Sequence, residues 1–234
     1  MTELGKVYTK IERCDAKVLK GLSKIPTTIA SDVMGRAQMM HSSIKPMTHP
    51  VHIAGSAVTV KCTPGNNLLV HQALYAAQPG DILVIDGKGF TERSIWGGVQ
   101  TFVAKQRKFA AVIVDGTVRD SAEIRKSGIP VFCKGATPAG PLKETSGNVN
   151  GPIMCGGLKV SPGDIIIADE DGVVVVPLKK AAEVLKKARE RLTVEKKWMS
   201  GLKKGKTTLD VIGLQAQLDK LNVKILNTTF KKGS

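Results

Sequence analysis

Nine residues constrain this chain more than any others: Val112-Ile113-Val114-Asp115-Gly116-Thr117-Val118-Arg119-Asp120. They begin as an apolar, β-branched run of the kind that fills a buried strand, and they break at Asp115-Gly116, a turn signal. The turn then delivers a cation and a carboxylate side by side. Ser121 to Arg125 continues with helical character, so Arg119-Asp120 falls where a strand hands over to a helix. At such junctions in layered α/β folds, polar groups gather along one rim of the sheet, near helix N-termini whose free N–H groups attract anions. A carboxylate there can hold a divalent cation, and an adjacent guanidinium can clamp a carboxylate or an oxyanion. The competing reading is a helix cap with a surface ion pair of little consequence.

With 234 residues the chain can bury a substantial core, and at 4% aromatic content that core is built from Val, Ile, Leu and Ala. No stretch approaches the roughly eighteen consecutive apolar residues of a membrane helix, and Met1 to Lys6 lacks the blocks of a signal peptide, so a cytoplasmic protein without a membrane partner is expected. Cys14, Cys62, Cys133 and Cys155 are scattered, with no Cys-x-x-Cys pair and no His at ligand spacing, and read as reduced thiols. The formal charge of +15 is concentrated late in the chain, where Lys179 to Lys206 form a basic belt followed by Lys231 and Lys232. A solvated helix face explains the belt better than nucleic-acid binding, because few aromatics are interleaved to stack on bases.

In chain order, Val18, Leu19, Leu22 and Ile25 recur at helical spacing behind Asp15 as a cap, and Pro26 stops that helix. Thr27-Thr28 is expected to cap a second helix, and Arg36 to Met47 reads as loop. Val51 to Cys62 is β-rich and broken by Gly55; Leu68 to Ala77 is helical; Pro79-Gly80-Asp81 turns into the strand Ile82 to Asp86. A helix is expected from Ser94 or Ile95 to about Lys108. Ile129 to Lys134 and Met154 to Val160 read as strands. Pro162-Gly163-Asp164-Ile165 repeats the earlier turn-into-strand, and Val173 to Val176 returns as a hairpin. From Leu178 to about Met199 a long charged helix follows, then a smaller one near Leu209 to Leu221. The expected divisions are an N-terminal helix over 1–25, a core over 26–178, and basic helices with a tail over 179–234.

The chain resembles the RraA-like family, which includes 4-hydroxy-4-methyl-2-oxoglutarate aldolases and the regulator of ribonuclease E activity. The carriers are Ile25-Pro26-Thr27-Thr28 with Ser31-Asp32, Pro79-Gly80-Asp81-Ile82, Val114 to Asp120, Gly140-Pro141-Leu142-Lys143, and Pro162-Gly163-Asp164 with Asp171-Gly172-Val173. Their order and spacing run from Pro26 to Leu221. The resemblance implies an α/β fold, a three-layer β/β/α swivelling domain, here with a C-terminal helical extension, assembled as homotrimers or hexamers with sites between subunits.

The resemblance also implies a divalent-metal-dependent carbon–carbon lyase acting on a small 2-oxo acid, by aldol cleavage or oxaloacetate decarboxylation through a metal-stabilised pyruvate enolate. Asp120 matches the aspartate that binds Mg²⁺ or Mn²⁺, and Arg119 the arginine that contacts substrate. The segment Gly97, Gly98, Val99 and Gln100 can offer backbone N–H groups to a substrate carboxylate, although paired glycines also permit close helix packing. Lys143 falls where the family has a basic residue, and Glu195 near where a neighbouring subunit supplies a glutamate; solvated side chains are the alternative for both. The family's aldolases carry an acid twenty intervening residues before Arg-Asp, and that position is Gly98 here. Aldol cleavage needs a base and decarboxylation does not, so decarboxylation should survive the change better. His71, beside Val70 and Leu74, reads as a packed or surface imidazole; His41, His49 and His52 have no obvious partners. A non-catalytic regulator that binds a ribonuclease, and a nucleic-acid binder acting through the basic belt, are the alternative functions.

Overall fold

The computed structural model describes residues 5–48, 51–145 and 147–229; His49, Ser146, Lys231 and Lys232 lie outside the described residues. The chain divides into two compact units, the first ending at Ala188 and the second beginning at Arg189.

Helix α1 (Ala16–Leu22) is capped by Asp15, whose side chain accepts from the N–H groups of Lys17 and Val18. Helix α2 (Thr27–Val33) starts directly after Pro26, and the expected threonine cap is absent. The Thr27 hydroxyl and N–H donate instead to the carboxylate of Asp169, at 2.6 and 2.9 Å. After the short β1 (Lys45–Pro46), β2 (His52–Lys61) runs ten residues without the break expected at Gly55. Glycine is there for close approach: a Cβ would meet the Gly80 carbonyl oxygen at 2.5 Å and the Ile82 side chain at 2.9 Å.

Helix α3 (Leu68–Ala76) and β3 (Ile82–Asp86) follow the sequence pattern. The next element departs from it. Ser94 to Trp96 form a strand, β4, and the helix, α4 (Gly98–Gln106), begins only after Gly97, whose backbone is extended. Ser94, Ile95 and Trp96 are all buried, and strand pairing overrides the helical spacing of their apolar side chains. Then come β5 (Ala111–Val114), β6 (Thr117–Val118), α5 (Ser121–Ser127), β7 (Val131–Cys133), β8 (Gly135–Ala136) and β9 (Asn148–Val149). Two antiparallel pairs follow, β10 (Ile153–Cys155) with β11 (Leu158–Val160), and β12 (Ile165–Asp169) with β13 (Gly172–Val176). A 3₁₀ turn leads into α6 (Ala181–Leu202), which is succeeded by two short helices, α7 (Thr208–Ile212) and α8 (Gln215–Lys220), in place of the single one expected.

The main sheet has the order β1-β7-β5-β3-β2-β12-β13, with β9 also on β2; β2, β3, β5 and β7 are mutually parallel and the flanking strands antiparallel. Alternation along the parallel strands sorts the core into two layers. Val58, Leu83, Ile85, Val112 and Val114 pack with Val70 and Leu74 of α3, Ala104 of α4 and Ile124 of α5. Their neighbours Ala57, Ile82, Val84, Ala111 and Ile113 pack on the other side with Ile153, Val160, Ile166 and Val175 of the hairpins. Helices therefore cover one face and the curled hairpins the other, giving three layers. A separate parallel sheet, β4-β6-β8, sits past the ends of β3 and β5 and carries the Arg119-Asp120 junction. Among the described residues no helix is long and apolar enough to cross a membrane.

Candidate active site

The turn after β5 separates two carboxylates with different fates. Asp115 is buried, with Oδ1 2.8 Å from Lys134 Nζ and Oδ2 accepting from the Gly156 N–H at 2.9 Å. It ties the central strand to its neighbours. Thr117-Val118 then pairs with β4, and the Arg119 N–H donates to the Trp96 carbonyl at 2.9 Å, which sets Arg119 beside Gly97.

Asp120 adopts the left-handed conformation, φ 58° and ψ 41°, unusual for a residue other than glycine. It stands at the start of α5 without capping it by its side chain; Oδ2 accepts from the Gly98 N–H at 2.9 Å and lies 3.6 Å from Arg119 Nε. Its side chain is 38% exposed, so the carboxylate keeps access to solvent and ligands. The opposing segment is locked in turn, with Trp96 Nε1 donating to Thr101 Oγ1 at 2.7 Å and that hydroxyl donating to the Gly97 carbonyl at 2.9 Å. A Cβ at Gly97 would meet Asp120 Oδ2 at 2.9 Å and Arg119 Cγ at 3.0 Å, so this approach needs glycine.

These residues border a cleft of about 190 Å³ that also takes in Val99, Gln100 and Lys143, together with Asn67, which precedes α3, and His71 of α3. Three polar atoms of the cleft residues, Asn67 Oδ1, His71 Nε2 and Gln100 Nε2, are buried without a hydrogen-bond partner. Unmet buried donors and acceptors are uncommon, and here they surround a cavity beside a guanidinium and a lysine. Burial first, and then the charge of Lys143, lowers the pKa of His71 below the usual imidazole value and keeps it neutral.

The first unit thus brings together Gly97, Val99, Gln100, Arg119, Asp120 and Lys143 at one cleft, with Gly98 donating to Asp120. Glu195 belongs to the second unit, on α6, with Oε1 3.7 Å from Arg191 Nε. Sequence reasoning did not single out Asn67, the residue that precedes α3, and it read His71 one turn on as a packed or surface imidazole. The other described histidines are engaged locally: His41 Nδ1 with Ser43 Oγ at 2.9 Å, and His52 Nε2 with the Ser23 carbonyl at 2.9 Å. In the second unit Arg191 stacks on the Trp198 ring at 4.5 Å, while Lys196, Lys197, Lys203, Lys204 and Lys206 are exposed.

A three-layer α/β protein with a polar cleft at the strand-to-helix junction is the class these features define. The family model described as RraA-like, Aldolase/RraA, matches residues 14–175, and the chain belongs to that family. It is 41% identical over 167 residues to a Halalkalibacterium halodurans protein named "Putative 4-hydroxy-4-methyl-2-oxoglutarate aldolase", covering 71% of this chain and 80% of that protein. The 4-hydroxy-4-methyl-2-oxoglutarate aldolase of Thermus thermophilus is 32% identical over 151 residues, covering 64% of this chain and 92% of its own length. Among solved structures, Streptomyces coelicolor RraAS2, described as an unusual member of the RNase ES inhibitor RraA protein family, superposes with a TM-score of 0.72 at 28% identity. That match covers 80% of this chain and 98% of the Streptomyces chain.

Proposed function

We propose that this chain is an aldolase-type lyase that breaks the carbon–carbon bond next to the pyruvoyl group of a small 2-oxo acid, with a divalent cation as cofactor. The observation that carries the reading is the set of unpartnered polar atoms beside Arg119, Asp120 and Lys143. The names of the similar aldolases point the same way.

The donor set suits a hard cation such as Mg²⁺ or Mn²⁺. Among the described residues no three His, Cys, Asp or Glu side chains are grouped to enclose a metal, and such cations are commonly held by one or two carboxylates together with water and substrate oxygens. Asp120 would hold the ion, and the bound ion supplies Lewis-acid polarisation of the keto group. The chain's own groups do the rest. Gln100 and the N–H groups at the start of α4 receive the 2-oxo acid carboxylate. The Arg119 guanidinium faces the negative charge that develops on the pyruvate fragment, the point at which electrostatic stabilisation contributes most. Lys143 and neutral His71 orient a second carboxylate and a hydroxyl. Glu195 of a neighbouring copy completes the site in an assembly of three or six chains. Exposed Tyr75, Val99 and Phe102 on α3 and α4 beside the cleft support such an assembly.

The test is pyruvate release from 4-hydroxy-4-methyl-2-oxoglutarate and from oxaloacetate, with Mg²⁺ and with chelator. Chelator-sensitive release is expected, with the sedimentation of a trimer or hexamer. A second reading, a ribonuclease-binding regulator, is favoured by the likeness to RraAS2 and by glycine at position 98. Ribonuclease capture without turnover of either acid would establish it. Salt-sensitive RNA binding without turnover would instead point to the lysines of the second unit.

A further inference from the structure

We infer that Glu123 is the general base of this site, taking by position the role that a side chain at Gly98 could otherwise fill; the inference rests on the lyase reading above. The space beside Gly98 is already occupied. A Cβ built on Gly98 falls on Oε2 of Glu123 and comes within 3.2 Å of Asp120 Cβ. The Glu123 carboxylate therefore stands at position 98, next to the carboxylate whose Oδ2 takes the Gly98 N–H. It projects from the first turn of α5, three residues beyond Asp120, and with Thr137 and Pro138 lines an open recess of about 410 Å³ that shares Arg119 and Asp120 with the cleft holding Gln100 and Lys143.

Glu123 is also the free carboxylate of this group. Asp120 is engaged by Gly98 and Arg119, and Asp115 by Lys134 and Gly156. Glu123 is exposed and has no hydrogen-bond or ion-pair partner among the described residues. A base has to reach solvent and substrate without first breaking a bond of its own, and Glu123 alone of the three satisfies that.

Its role follows from the bond changes. With a 4-hydroxy-2-oxo acid, the Glu123 carboxylate takes the proton of the C4 hydroxyl, directly or through one water. The O–H electron pair forms the new C4 carbonyl, and the C3–C4 pair passes into the pyruvate enolate facing Arg119. The carboxylic acid so formed returns the proton to C3, releasing pyruvate and a carbonyl product with no oxidant or reductant. Oxaloacetate has no hydroxyl proton to lose, so its decarboxylation calls on Glu123 far less.

The test pairs two substrates with two substitutions, on the full chain with Mg²⁺. Glu123→Gln should lower kcat for 4-hydroxy-4-methyl-2-oxoglutarate about 100-fold, at least ten times more than it lowers oxaloacetate decarboxylation. Gly98→Asp should lower Tm slightly, because it adds a third carboxylate beside Asp120 and Glu123. Adding Glu123→Ala should restore Tm and raise aldol cleavage at least tenfold above Glu123→Ala alone. Equal losses for the two substrates in Glu123→Gln, unchanged aldol cleavage, or wild-type decarboxylation without aldol cleavage would overturn the assignment of Glu123 while leaving the lyase. Absence of wild-type turnover with both acids would overturn the lyase reading and Glu123 with it.

Discussion

Asp115 and Asp120 are five residues apart and do opposite things. Asp115 sits at the end of the central parallel strand, 9% exposed in its side chain, with both oxygens taken by Lys134 and Gly156. Asp120 sits past the next short strand in a left-handed backbone, 38% exposed, with its side chain turned from its own helix toward Gly98. A buried carboxylate held by a lysine and a backbone N–H stabilises the fold; one held in a strained conformation and left open to solvent is available to a ligand.

The contrast can be broken most forcefully at Asp115. Replacing it with alanine leaves Lys134 without its partner and the Gly156 N–H without an acceptor, and should lower unfolding free energy by about 3 kcal/mol in a urea titration. A change under about 0.5 kcal/mol would remove the distinction. Arg119→Lys should leave the urea midpoint close to wild type and lower kcat for pyruvate release about 100-fold, because an ammonium does not reproduce the guanidinium fork facing the enolate. Loss of folding with retained specific activity would place Arg119 with Asp115 among the groups that hold the fold.

The smallest expected effect is at His71. Its folded pKa is lowered by burial and by Lys143, so the unfolded chain takes up the proton first as pH falls. The contribution of His71 to stability is thus full above the unfolded value and is lost as pH drops below it toward the folded pKa. In an NMR titration His71 should titrate below the ordinary imidazole value, and Lys143→Ala should move it part of the way back. A His71 signal that titrates at the ordinary imidazole value would remove the buried neutral imidazole from the site.

Legibility in the sequence followed the range of the contacts. Asp15 as a cap, Ile82 to Asp86 as a strand and the hairpin around Glu170-Asp171 depend on neighbours in sequence, and all three were readable. So was the strand–turn–helix passage that presents Arg119-Asp120. Ser94 to Trp96 was misread because its strand character depends on Thr117-Val118, more than twenty residues later. Asn67 and His71 were passed over for a similar reason: α3 reaches the cleft only because β2 and β3 run parallel and the helix between them packs across one face. Gly98 looked like a missing carboxylate in the sequence. The packing of α4 against α5 brings Glu123 to that point, and no spacing rule shows it.

The account stands most directly on Asp120. The deciding measurement is the rate of pyruvate release from oxaloacetate by Asp120→Ala, beside wild type at matched folded fraction and saturating Mg²⁺. A fall of roughly a thousandfold at matched folded fraction is predicted. Activity within tenfold of wild type would contradict the assignment of this junction as the working site.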